Sequence, residues 1–176
     1  MKKEHHTEFI KHYDPIHQQF CKYCRAISGN TVDSDDLIQE TVLTVLENFD
    51  KIRDKSAFKP YMFRVACNLN KMRYRKGKCK AAFNELEIKN IIDFSQDQEY
   101  LTDFKLIYEQ ILSLPLKTSE TLILFHISDL SLEDIQIIQG GSLSGVKLRL
   151  KRGREKLLSL LNTKESIEMA LLFLTI

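Results

Sequence analysis

Apolar residues recur at helical spacing along most of this chain, while strand-like alternation and Asn-Gly hairpin signals are missing. The spacing predicts a helix over Phe9 to Ser28, stopped at Gly29-Asn30, and a second one capped by Asp33 or Ser34 and running through Phe49. A loop from Asp50 to about Ser56 separates these from a helix over about Lys59 to Lys76, with Pro60 in its first turn. After Gly77 the pattern fades into a polar, acidic stretch, Asn84 to Gln98, expected to be a linker. Leu114-Pro115 opens a new run, helical to about Ile127.

The most informative segment follows. Ser131 begins an S-x-x-[DE] capping box closed by Asp134, so a short helix starts there and turns Ile135 and Ile138 inward. Gly140 and Gly141 end it. Ser142 can then cap another helix, on which Leu143, Val146 and Leu150 share one stripe and Lys147, Lys151 and Arg154 share another. Two short helices with a basic second member form a helix-turn-helix, the unit that lays a recognition helix in the DNA major groove. The expected fold class is therefore all-α: two small helical domains joined by a linker, the second containing a helix-turn-helix.

Composition adds little, but the distribution of charge adds much. The 176 residues are 43% hydrophobic and 28% charged, ordinary for a globular protein, and the net charge is only +2. Yet Lys51 to Lys80 holds eleven Lys/Arg against Asp54 alone, and Lys147 to Lys156 holds six against Glu155. Between them, Glu85 to Asp103 carries six acids against Lys89. Two basic blocks flanking an acidic one suggest two surfaces that meet a polyanion. No secretory leader pattern opens the chain and no apolar run approaches the roughly 20 residues of a membrane span, so no membrane insertion and a cytoplasmic location are expected. The apolar tail Ala170 to Ile176 reads either as the end of an amphipathic helix folded onto the body or as a partner-binding segment.

The sequence also bounds the chemistry. It has no phosphate-binding glycine loop, no nucleophile elbow and no HExxH, and its carboxylates gather at helix starts without partner bases, so neither catalysis nor a cofactor is expected. Cys21, Cys24, Cys67 and Cys79 are too few for a disulfide scaffold. His17, Cys21 and Cys24, at i, i+4 and i+7, could face one way as metal ligands, with His5, His6 or His12 as a fourth, although one helical face is also what core cysteines need.

The order of these segments resembles the extracytoplasmic-function (ECF) sigma factors, the smallest sigma subunits of bacterial RNA polymerase, over Phe9 to about Leu157. Asp35-Asp-Leu-Ile-Gln-Glu-Thr-Val42 is similar to the family's core-binding helix, and Phe58-Lys-Pro-Tyr-Met-Phe-Arg-Val-Ala-Cys-Asn-Leu69 to its promoter-melting helix. Leu114-Pro115, Leu130 to Ile135, Gly140, Ser142 and Val146 to Leu150 match the spacing of its upstream-element reader. The resemblance implies four stretches: residues 1–80 for core binding, minus-ten recognition and melting; an acidic linker over 81–112; a minus-thirty-five reader over 113–162; and an apolar tail over 163–176.

It also implies partners and sites. The partners are RNA polymerase core enzyme, promoter DNA and an anti-sigma factor. Asp35, Asp36, Gln39, Glu40 and Leu43 would dock a coiled coil of the largest core subunit, beside an apolar stripe of Leu37, Ile38, Val42 and Leu46. Phe58, Tyr61, Arg64, Asn68, Lys71, Arg73, Arg75 and Lys76 would hold the minus-ten strand, bases stacking on aromatic rings while cations hold phosphates. The loop Asp50 to Ala57 would pocket a flipped base. Ser142, Ser144, Lys147, Leu148, Arg149, Lys151, Arg152 and Arg154 would meet the minus-thirty-five element.

Three residues depart from the family's pattern: Met72, where an acid is common, and Gln139 and Gly141, where aliphatics are usual, so the turn is expected to pack more loosely. Two other readings stay open. One is a helix-turn-helix regulator acting without polymerase; the other is a metal- or redox-responsive regulator working through His17, Cys21 and Cys24.

Overall fold

A computed structural model describes residues 2–28, 31–76 and 98–175, and among these every regular element is helical. The chain divides into two compact units, Met1–Ala82 and Phe83–Ile176.

In the first unit, α1 (Lys2–Tyr13), α2 (His17–Ser28), α3 (Thr31–Glu47) and α4 (Phe58–Arg75) surround an aromatic core. The single helix expected over Phe9 to Ser28 is two: Pro15 has no N–H to continue the ladder, and the chain tightens into a 3-10 turn over Asp14–Ile16. The start of α3 also differs. It begins at Thr31, and Ser34 lies inside it, buried, its hydroxyl donating to the Thr31 carbonyl at 2.8 Å instead of capping. Phe9, Phe49 and Phe58 meet edge to face with centroids 5.6–5.7 Å apart, which fixes α1 and the loop before α4 against α4 itself. Phe63 repeats the device against Phe20 and packs at a tilt on Tyr23. Asn70, buried in α4, donates to the Ile27 carbonyl at 3.1 Å and satisfies an acceptor at the end of α2.

The second unit contains α5 (Gln98–Ser113), α6 (Leu116–Leu122), α7 (Leu132–Gln139), α8 (Leu143–Leu160) and α9 (Lys164–Thr175). The linker expected over 81–112 is corrected here. Residues 98–112 lie within α5, whose Phe104, Ile107, Tyr108 and Ile111 are buried at i, i+3, i+4 and i+7, a stripe hidden from the charge count by Glu99 and Asp103. Residues 81–97, with most of the acidic stretch, lie outside the described residues, as do Gly29-Asn30 and Cys79. The apolar tail folds back as α9: Ala170 and Leu174 are buried, and Phe173 meets Phe104 at 5.5 Å. The helix expected to reach Ile127 ends its regular part at Leu122 and passes through one π turn, Ile123–Ile127, with the Ser128 N–H reaching the Ile123 carbonyl.

Inside this unit α8 lies close on α6. Val146, Leu150, Gly153 and Leu157 form its buried stripe, at i, i+4, i+7 and i+11. At Gly153 there is no room for a side chain, since an added Cβ would come within 2.9 Å of Thr118 Cγ2. Alanine there gains up to about 1 kcal/mol of helix propensity but overpacks a stiff, β-branched neighbour at a cost of about 1–3 kcal/mol. Gly153→Ala is therefore expected to lower the melting temperature of the second unit by about 4–8 °C per net kcal/mol, measured by thermal circular dichroism.

Candidate functional site

The helix-turn-helix is capped at each joint. Ser131 Oγ accepts from the Asp134 N–H at 3.0 Å and Ser142 Oγ from the Gly145 N–H at 3.1 Å, so both short helices start where their serines stand. Gly140 and Gly141 take φ of 71° and 96°, a left-handed turn that side-chain-bearing residues rarely adopt. The turn aims α8 so that Ser144, Lys147, Leu148, Lys151 and Arg152 form an exposed stripe opposite the buried one. Leu148 is 46% exposed, an apolar side chain held in water among cations.

Two of the expected minus-thirty-five residues are not free. Arg149 is half-buried at the edge of that stripe, and its Nη1 donates to Gln139 Oε1 at 2.6 Å. Gln139 is in turn fastened through its Nε2 to the Lys117 carbonyl at 3.2 Å, and its Oε1 lies 2.9 Å from the Thr121 hydroxyl. The looser turn expected from Gln139 is thus corrected: the amide ties α6, α7 and α8 together. Gly141 belongs to the same joint, since Gln136 Nε2 donates to its carbonyl at 3.0 Å. Arg154 lies at the other edge, its Nε donating to His126 Nε2 at 3.1 Å and its guanidinium over the Phe125 ring at 5.4 Å. It is directed inward, away from Lys147 and Lys151, with which it was expected to share a face.

In the first unit the expected minus-ten residues separate in the same way. Arg64, Asn68, Arg75 and Lys76 are exposed, and Tyr61 and Lys71 are half-buried. Phe58 is corrected from a stacking platform to a core residue, 2% exposed within its cluster of phenylalanines, and Phe63 is wholly buried. Tyr74 and Met72, 44% and 50% exposed, are the large apolar surfaces that α4 presents. Arg73 is turned to α3: Nη2 meets Glu40 Oε2 at 2.7 Å and Nη1 donates to the Asp33 carbonyl at 2.9 Å. The loop before α4 is held by Asp54, which caps the Ser56 N–H, and by Lys55, whose ammonium donates to the Phe49 carbonyl at 2.9 Å and lies over its ring. On α3, Asp35, Asp36, Gln39 and Glu40 are exposed, and Leu43 at 59% stands one turn beyond them. Leu37, by contrast, is fully buried, with Ile38, Val42 and Leu46 half-buried, so the apolar stripe beside the acids is partly taken up by the core. A groove of about 210 Å³ between α3 and α4 is lined by Asp33, Asp36, Glu40, Leu69, Met72, Arg73 and Lys76.

His17, Cys21 and Cys24 do not converge as a ligand set. His17 and Cys21 do meet, Sγ lying 3.7 Å from Nε2, but His17 is exposed and bonds Tyr13 Oη at 2.9 Å, while Cys24 has no exposed surface and burial pushes its thiol well above the usual range. Among the described residues no group of three or more His, Cys, Asp or Glu side chains could hold a metal ion.

The fold and site together define a two-unit helical protein that presents one capped helix-turn-helix and one basic helix with exposed tyrosine. Comparison with known proteins agrees. Residues 12–79 match the family model of sigma-70 region 2, and residues 104–157 match that of sigma-70 region 4. The chain is 31% identical over 136 residues to the ECF RNA polymerase sigma factor EcfG of Rhodopseudomonas palustris, covering 77% of this chain and 75% of that one. It is 26% identical over 170 residues to the ECF RNA polymerase sigma factor SigW of Bacillus subtilis, covering 89% and 90%. In fold it is similar to the sigma factor RpoE of Bartonella quintana, solved with the anti-sigma factor NepR, at a TM-score of 0.68, 20% identity and coverage of 89% and 98%. It is similar also to CnrH, solved with the cytosolic domain of CnrY, at a TM-score of 0.65, 20% identity and 86% coverage of each chain. The chain belongs to the ECF family of RNA polymerase sigma factors.

The bonded neighbours of two of the site's arginines, Gln139 and His126, were not legible as such in the sequence, because they lie 10 and 28 residues from Arg149 and Arg154. His126 gives a measurable consequence. Burial, and then the adjacent Arg154 charge, push its pKa down from 6.5 to about 4. The folded unit therefore refuses a proton that the unfolded chain accepts, so its contribution to stability is complete above about pH 6.5 and is lost as pH falls towards 4. Urea melts between these limits should show stability falling by about 1.4 kcal/mol per pH unit, and His126→Gln should flatten that slope.

Proposed function

We propose that this sigma factor directs RNA polymerase core enzyme to specific promoters and starts transcription through a division of labour between its units. The observation that carries it is the two-faced α8: one stripe buried in the second unit, the other an exposed row of Ser144, Lys147, Leu148, Lys151 and Arg152 on a helix capped and aimed by the turn. The first residues of a recognition helix reach base edges and later ones reach phosphates. Ser144, Lys147, Leu148 and Arg149 accordingly read the minus-thirty-five element, with Leu148 suited to a thymine methyl group, and Lys151 and Arg152 anchor the backbone. Arg154, occupied with His126, holds the helix in place instead of contacting DNA.

In the first unit, Asp35, Asp36, Gln39, Glu40 and Leu43 offer acids beside an exposed leucine to a basic helical element of the core enzyme. Tyr61, Arg64, Asn68, Lys71, Arg75 and Lys76, with the exposed Tyr74, take the opened minus-ten strand. Arg73 braces α4 on α3 and supports both surfaces. Sigma factors are non-enzymatic DNA-recognition proteins, and this chain acts without catalysis or cofactor of its own. No helix among the described residues is long and apolar enough to cross a membrane, in keeping with action in the cytoplasm, where the polymerase is. The fold likeness to a sigma factor solved with an anti-sigma factor supports an anti-sigma partner that covers the docking face.

Docking is tested best where fold and function separate. Glu40 is bonded to Arg73, so reversing it disturbs α4, whereas Asp36 and Leu43 are exposed. Asp36→Lys with Leu43→Ala is expected to weaken binding of core enzyme about tenfold or more in pull-down titrations while leaving the circular dichroism melt unchanged. Unchanged binding would move the docking surface elsewhere.

The two classes of α8 residue should also part. Arg149→Ala is expected to cost about 1–3 kcal/mol on the preferred upstream element and to relax discrimination at one base pair. Arg152→Ala should weaken all promoters alike and reduce the salt dependence of holoenzyme binding by about one phosphate's worth. Promoter-library transcription at several salt concentrations checks both.

A further inference from the structure

Gln139 is the hub of a small polar network in which each atom's role can be assigned. The atom 2.6 Å from Arg149 Nη1 faces a group that only donates, so it must be the amide oxygen. The other amide atom, 3.2 Å from the Lys117 carbonyl, must then be the nitrogen. A flipped amide would set donor against donor at one end and acceptor against acceptor at the other. The Thr121 hydroxyl, 2.7 Å from the Lys117 carbonyl and 2.9 Å from Gln139 Oε1, backs the amide on the side of α6. The Gln139 side chain is thus fixed at both ends before any DNA arrives, and its amide oxygen accepts from one guanidinium nitrogen of α8.

We infer that Gln139 is a positioning residue that fixes the Arg149 guanidinium for base reading and thereby sets the specificity of the helix-turn-helix at one base pair. An unrestrained arginine on a helix loses rotamer entropy when it forms a bidentate contact and can as easily reach a phosphate. With Nη1 held, the fork keeps its remaining donors in one plane and one direction. The partly buried bond to Gln139 is charge-assisted, the class of hydrogen bond that contributes most. This inference rests on the assignment of Arg149 as a base reader and adds a residue that itself touches no DNA.

The experiment measures holoenzyme transcription from a library randomised across the upstream element, giving a preference at each base pair. Four proteins are compared with the parent: Arg149→Ala, Gln139→Leu, the double variant, and Gln139→Glu. Arg149→Ala should flatten one base pair. Gln139→Leu should lower preference at that same pair about tenfold, leave the other pairs as they were, and add nothing on the Arg149→Ala background. Gln139→Glu retains an acceptor for Arg149 but sets an oxygen against the Lys117 carbonyl. It should keep the preference while losing thermal stability, which a merely structural glutamine would not allow. If Gln139→Leu weakens all base pairs alike, or leaves the pair read by Arg149 intact, the inference is overturned. If Arg149→Ala moves no base pair at all, the assignment of Arg149 as a reader fails and the inference falls with it.

Discussion

A reader helix in a small helical protein must bury one face to be held and offer the other to be used, and both units here are built around that constraint. In α8 the inward stripe of Val146, Leu150, Gly153 and Leu157 leaves an outward stripe of polar and cationic residues. Gly153 permits the close approach of α6, because a Cβ at that position would meet Thr118. In α4 the inward positions are Phe58, Met62, Phe63, Ala66, Cys67 and Asn70, which leaves Arg64, Asn68, Arg75 and Lys76 outside. The apolar stripe of a packed helix covers 100° or more, so every aromatic drawn into the core is one fewer available to a base. Phe58 and Phe63 are so drawn, and Tyr61 and Tyr74 are what remain on that helix.

The residues at the edges of the two stripes serve neither face purely. Arg73, Arg149 and Arg154 all lie at such borders, and each is bonded within its own unit, to Glu40 and the Asp33 carbonyl, to Gln139, and to His126. Arginine suits this place because its long stem packs along apolar surface while its planar fork finds fixed acceptors. Holding these guanidiniums lowers the number of mobile cations that would otherwise bind any phosphate. Sequence-independent affinity grows with each phosphate neutralised, so restraint at the borders moves the balance from general attraction towards selected contacts.

Much of this was legible in the sequence where the signal was local. The capping serines Ser131 and Ser142, the glycines at 140 and 141, and the inward Ile135, Ile138, Val146 and Leu150 are all set by spacing within a few residues, and the structure has them as expected. What was misread depended on partners far along the chain. The acids of α5 masked its buried stripe, whose need for burial is met by α9, about 65 residues further on. The side-chain-to-backbone bond of Ser34 competes with a cap and cannot be told from one by residue type. Nor can charge patterning say which arginine of a basic run is already committed, because Glu40 and His126, partners of Arg73 and Arg154, are 33 and 28 residues away.

Small modules with few free contacts bind weakly, and for a dissociable specificity subunit that weakness is useful. A stripe of five exposed residues on α8 can neutralise only a few phosphates, and non-specific modules of this kind bind with micromolar or weaker constants at physiological salt. Two such readers on one chain gain by effective concentration once the first is engaged, so their joint selectivity exceeds that of either alone without any new contact. The gain depends on both being held at the separation of the two elements, and a larger enzyme that binds the chain can hold them there. Selectivity is then gained in the assembled holoenzyme, and a net charge of only +2 together with the internally bonded Arg73, Arg149 and Arg154 limits the general attraction of the free chain for a polyanion.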